Sequence, residues 1–237
     1  MTEIRKLAAF VDSLHYHEQN SPQIDPKKGR FPFITISRQA GAGGNALAAA
    51  LEERIQKLHA EPLFRDWQLC GPKLRQMLSE DPALKDVVES LRRTEYHSHA
   101  EDFLSQLIYG GSSQDVVIKK MLHLMRAFAL HGKVIFVGRG STLLTRDLPL
   151  GIHVRLEASM ESRVKRMMPV FGPDEKKVRQ VIEEKDKAKV ELVKTFFNKD
   201  LHDPLLFDVR WNTDRVSIDE IAKLLIEMVR DKAAGAF

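Results

Sequence analysis

The sequence predicts an α/β fold: three layers, a parallel sheet with helices on both faces. Three observations carry this. Short β-branched and aromatic runs at Phe31 to Ser37 (FPFITIS), Lys133 to Val137 (KVIFV) and Gly151 to Leu156 (GIHVRL) have the length and composition of buried strands. Segments of helical periodicity alternate with them, which implies parallel pairing. Two strands run into glycine-containing loops, after Ser37 and after Val137. Ligands of open parallel sheets bind outside the carboxyl ends of the strands, so both loops point to one end of the sheet.

The elements follow in order. Ile4, Leu7, Ala8, Val11 and Leu14 recur at helical spacing, and Ser21 to Arg30 reads as a linker with prolines, a glycine and cations. Residues 1–30 are therefore expected as a helical extension ahead of a main domain, 31–237. After the first strand and the loop RQAGAGG, Leu47, Ala48, Leu51, Ile55 and Leu58 mark a helix over Asn45 to His59. Pro62 to Phe64 is expected as a short second strand. Helical patterns follow at Trp67 to Leu78, Ala83 to Tyr96 and Glu101 to Tyr109, then at Gln114 to Leu130, which Gly132 ends. They make a helical insertion of about 67–131. Further helices are expected from Ser159 and over Asp174 to Phe197, a last strand over Leu206 to Trp211, and a last helix over Ser217 to Lys232.

Composition excludes several classes. The 237 residues are 43% hydrophobic and 30% charged, enough apolar residues for a core and too many for a disordered chain. Cys70 is the only cysteine, so no disulfide can form within the chain, and it is expected to be buried and inert. No apolar run reaches the roughly 18–20 residues of a membrane span, and Met1 to Asn20 lacks the apolar stretch of a secretory signal. A cytoplasmic protein is expected. The net charge of +4 admits an anionic ligand, but a solvated surface of mixed sign accounts for it without one. No dense basic stripe with interleaved aromatics suggests nucleic acid. His15 and His17, like His97 and His99, are two residues apart and make no helical metal pair, and no G-x-S-x-G elbow is present.

A strand, a glycine-rich loop and a helix start form an anion site, because successive N–H groups and the helix dipole converge there. Gly41, Ala42, Gly43, Gly44, Asn45 and Ala46 are the candidate phosphate cradle. The usual phosphate-loop signature, G-x-x-x-x-G-K-[ST], is not met: Arg38 stands at its first glycine, Gly44 at its lysine and Asn45 at its Ser/Thr. The dinucleotide pattern G-x-G-x-x-G fails as well, with Ala46 at the third glycine. A tight strand-to-helix turn without a ligand remains the alternative.

The stretch Ile34 to Leu47, ITISRQAGAGGNAL, resembles the opening of the cytidylate kinase-like family of P-loop nucleoside monophosphate kinases, with its pattern I-S-R-x-x-G-x-G-G. Ser37, Arg38, Gly41, Gly43 and Gly44 match, and that branch itself lacks the lysine. Asn45 stands where the family often has a basic residue. Pro62-Leu63-Phe64-Arg65-Asp66 resembles the second-strand segment, whose aspartate lies beside the monophosphate. Val137-Gly138-Arg139-Gly140-Ser141 resembles the loop whose arginine grips it. Glu161 to Arg166 and Glu184 to Lys189 resemble the basic segments of the lid, here about 159–200, and Asp203 to Ser217 the last strand and turn. The resemblance spans about residues 31–230 and implies a P-loop-type core, ATP and Mg²⁺ as cofactors, and CMP or dCMP as acceptor.

On this reading Arg139 clamps the acceptor phosphate bidentately. Arg163 and Arg166, three apart on one helix face, reach the transferring phosphates with the lid. Arg38 replaces the missing lysine charge or pairs with an acid such as Asp66. Asp66 is a substrate-side or magnesium-side carboxylate, or the N-cap of the Trp67 helix; Asp186 has the same two possibilities in kind. Lys185, Lys187 and Lys189 alternate with acids and read as an exposed charged helix. The expected activity is phosphoryl transfer from ATP to a nucleoside monophosphate. The alternative is a non-catalytic nucleotide-binding sensor with a degraded loop, whose N-terminal helix serves a protein partner.

Overall fold

We describe the protein from a computed structural model, over residues 30–70, 125–138 and 140–235. The expected extension, most of the helical insertion and Arg139 lie outside the described residues.

Strand β1 (Phe33–Arg38) opens the core, and helix α1 (Gly44–Lys57) follows the glycine loop. Strand β2 (Gln68–Cys70) is short. A helical stretch at 125–131, α2, leads into β3 (Val134–Val137). Then come α3 (Ser141–Thr145), β4 (Gly151–Glu157), α4 (Met160–Phe171), α5 (Glu175–Phe197), β5 (Val209–Asn212) and α6 (Ile218–Ala233). The five strands form one sheet in the order β2-β3-β1-β4-β5, and every pairing is parallel.

The period-two alternation of β1 divides the molecule into layers. Ile34 and Ile36 are fully buried with Leu47 and Leu51 of α1 and Leu225 of α6. Thr35 points the other way, where its hydroxyl is 2.8 Å from that of Thr142 on α3 and 2.8 Å from His153 Nδ1. So α1 and α6 cover one face and α3 the other. Arg126 of α2 donates to the Leu144 carbonyl of α3. Cys70 is buried, and burial pushes its thiol up to about 12, which keeps it an inert thiol.

Helices α4 and α5 form a hairpin with its own small core, in which Val164, Val178 and Ile182 pack with Ala40 of the glycine loop. The hairpin is therefore joined to the loop by apolar packing as well as by charge. Among the described residues, no helix is long and apolar enough to cross a membrane.

Three expectations are corrected. Pro62–Phe64 is a 3-10 turn instead of a strand, because Pro62 occupies its first position, where a missing N–H costs nothing. The second strand is Gln68–Cys70, inside the expected Trp67 helix; its three residues pair with β3 at Val134, Ile135 and Phe136. The last strand starts at Val209, since Pro204–Leu206 forms a second 3-10 turn capped by the Asp203 side chain.

Candidate functional site

The site is built where β1 gives way to α1. Gly41 (φ +79°) and Gly43 (φ +94°) take left-handed conformations that side-chain-bearing residues avoid. Gly43 is the N-cap and has no side chain to cap the helix. The first intrahelical bond runs from Leu47 N–H to the Gly43 carbonyl, 2.9 Å. The N–H groups of Gly44, Asn45 and Ala46 precede it and are the orphan donors of a helix start. Asn45 and Ala46 are exposed there, whereas Ala42 is fully buried behind the loop. Donors with a helix dipole behind them suit a phosphate.

The back of the loop is held by side chains. Asp186 Oδ1 accepts from Ala40 N–H at 2.7 Å. Asp186 also accepts from Arg163 Nη1, and from Lys189 Nζ at 2.9 Å. Thr213 Oγ1 donates to the Ala42 carbonyl at 3.2 Å, and Arg166 donates to Thr213 Oγ1 at 2.9 Å and to the Gly41 carbonyl at 3.4 Å. Burial pushes the Asp186 carboxyl up, but the bonds from Lys189 and Ala40 outweigh it and hold it below the ordinary carboxylate range. Burial lowers the Lys189 ammonium, with Asp186 opposing.

Beside the loop lies a small cleft that opens to solvent. Its polar mouth is Ser37, Arg38, Gly138 and Lys189; its wall is Leu143, Leu192, Val193, Leu201 and Phe207. The cleft falls between the carboxyl ends of β1 and β3. Lys189 donates to the Arg38 carbonyl at 3.3 Å. Arg155, only 3% exposed, lies under the mouth and donates to Ser37 Oγ at 3.0 Å while its guanidinium stacks 5.5 Å from the Phe207 ring centre.

The sequence-derived candidates therefore separate. Gly41 to Ala46 and Arg38 come together at the loop. Arg163 is 7% exposed and braces the loop from behind, through Asp186 and the Ala40 carbonyl. Arg166 is exposed and tied to Thr213. Arg139 lies outside the described residues, but its neighbours Gly138 and Gly140 line the cleft. Asp66 must be corrected. It precedes β2, and Gln68 N–H bonds to the carbonyl of Lys133, which precedes β3. In a parallel sheet this places Asp66 at the end opposite the glycine loop, exposed, with no helix after it to cap. Lys189 is corrected too: it is half-buried at the cleft instead of on an open charged face. Its signal in the sequence was the i, i+3 pair with Asp186. Arg155 was missed; its mark in the sequence was an arginine between Val154 and Leu156 in a strand otherwise buried.

An uncharacterized protein from Eubacterium ventriosum superposes with a TM-score of 0.63 at 20% identity, over 85% of this chain and 99% of that one, and has the same fold. A shikimate kinase from Bacteroides thetaiotaomicron gives a TM-score of 0.43 at 14% identity, over 84% and 98%. No curated protein matches the sequence. The model of the cytidylate kinase-like family matches residues 33–215, a span running from the first strand through the loop, the cleft and the α4–α5 hairpin to the turn after the last strand, and the chain belongs to that family.

Proposed function

We propose that the protein transfers the γ-phosphoryl group of ATP to a nucleoside monophosphate, with CMP or dCMP as acceptor. The observation that carries this is the meeting of two cations, Arg38 and Lys189, at the mouth of an apolar-walled cleft beside a glycine loop with orphan N–H donors. Phosphoryl transfer asks the protein mainly for positioning and charge neutralisation. The loop N–H groups would hold the ATP phosphates. Arg38 and Lys189 would neutralise charge between donor and acceptor. The wall from Leu143 to Phe207 would take the acceptor's base and sugar, and Arg139 its phosphate. Helices α4 and α5 would act as the lid, with Arg163 as a positioning residue beneath the loop. The preference for cytidine nucleotides rests on family membership.

The donor set fits magnesium carried on the nucleotide. Among the described residues no three metal-ligating side chains come together as a cage. Magnesium on a phosphate substrate keeps several waters and takes one or two protein oxygens. Asn45, exposed beside Gly44 on the first turn of α1, offers one. Such an ion would neutralise charge on the β and γ oxygens.

The test is ADP formation by the purified chain with Mg·ATP and a panel of nucleoside monophosphates. Turnover selective for CMP or dCMP is expected. Arg139→Ala is expected to raise the acceptor KM at least about tenfold, the value of a lost bidentate charge-assisted contact. Turnover only with another acceptor rejects the substrate, and an unchanged Arg139→Ala variant rejects that residue's role.

A further inference from the structure

Gly44 has no backbone reason to be glycine. Unlike Gly41 and Gly43, it is not in the left-handed region. It is the first residue of α1, a position that any side chain except a crowded one can take. Its reason is steric. A Cβ at Gly44 would lie 2.8 Å from Arg38 Cγ, 2.9 Å from Cδ and 3.2 Å from Nε, all inside the roughly 3.5–4.0 Å of carbon contact. The stem of Arg38 thus runs over the bare face of Gly44. The guanidinium continues to the far side of the crevice, where a Cβ at Gly138 would fall 1.8 Å from Nη1. Arg38 is the last residue of β1, and Gly138 follows β3 directly.

From this we propose that Arg38 and Gly44 are a transposed pair. The phosphate-facing cation that a lysine at the start of α1 would supply comes here from the end of β1, and Gly44 is glycine to let the arginine through. Arg38 is then a catalytic residue that bridges the ATP phosphates on the loop and the acceptor phosphate in the cleft. Its fork can serve two phosphates at once, which a point-charge ammonium does less well. The inference rests on the kinase reading above. It goes beyond it by assigning the transferred group's counter-charge to one residue, and by making that residue exchangeable with position 44.

Four variants of the full chain test it: Arg38→Ala, Arg38→Lys, Gly44→Lys, and the double Arg38→Gly/Gly44→Lys. Each is assayed for kcat and KM, for Mg·ATP binding by calorimetry, and for thermal unfolding as a fold control. Arg38→Ala is expected to lose about 10²–10³-fold in kcat, as when one preorganised transition-state donor is removed. Arg38→Lys should recover part of that loss. Gly44→Lys alone should lose roughly tenfold, since two stems compete for one space. The double variant should be more active than either Arg38→Ala or Gly44→Lys, because one cation has one path again. Arg38→Ala with unchanged kcat and ATP affinity overturns the proposal while the kinase reading stands. So does a double variant no better than Arg38→Ala that unfolds at the wild-type temperature. If the wild type transfers phosphate to no acceptor, the kinase reading fails by itself, and the ATP titration decides for Arg38. Binding lost in Arg38→Ala and regained in the double variant supports it; binding unchanged, or absent from the wild type, overturns it.

Discussion

Asp186 shows how one side chain sets the geometry of a loop. It accepts from the loop backbone at Ala40, from buried Arg163 and from Lys189. Removing it leaves two cations without their acid, and breaking a buried pair from one side costs about 3–5 kcal/mol. Asp186 is a quarter exposed, so Asp186→Ala is expected at about 2–3 kcal/mol in denaturant unfolding, discounted for solvent screening. Gly41→Ala acts on the same contact from the other side, because its Cβ would lie 2.8 Å from the Arg163 carbonyl oxygen at a φ of +79°. His153 sets a pH limit on the core. Burial lowers its pKa from 6.5 to about 4, with Asp208 opposing. The unfolded chain therefore takes up this proton first as pH falls. Stability is full above about 6.5, declines between 6.5 and 4, and loses about 3 kcal/mol in all. Unfolding midpoints at pH 7.5 and 5 should differ in the wild type and differ less in His153→Gln.

Among the elements, those bounded by caps were the most legible in the sequence. Ser217 caps α6 in a reciprocal box with Glu220, and Asp174 caps α5 through Lys177 N–H. Both helices begin where the helical pattern over Asp174 to Phe197 and over Ser217 to Lys232 places them. Ser217→Ala is expected to cost about 1 kcal/mol, read as a lower unfolding midpoint with the fold retained. Strand β2 was not legible. Three residues with only Cys70 buried are too few to show alternation, and the strand exists because β3 offers it an edge. Lys189 was misread for a similar reason. The α5 sequence carries charge on every side, and only the packing of Val178 and Ile182 against Ala40 settles which side meets the loop.

At the scale of the whole molecule, the strand order β2-β3-β1-β4-β5 places the loops after β1 and β3 side by side while their helices leave to opposite faces. A crevice results at that switch, and the cleft and Arg38 occupy it. The alternation of strands and helices, together with the two glycine loops, made this end of the sheet readable from sequence. The distribution of charge around it was not, because Arg38, Asp186 and Lys189 are brought together across more than 140 positions of chain. The most direct measurement follows the γ-phosphoryl group of labelled ATP in the presence of CMP and magnesium. Label recovered in CDP is the expected result. Nucleotide that binds with no label transferred to any monophosphate would contradict it, and would leave the chain a nucleotide sensor built on a kinase fold.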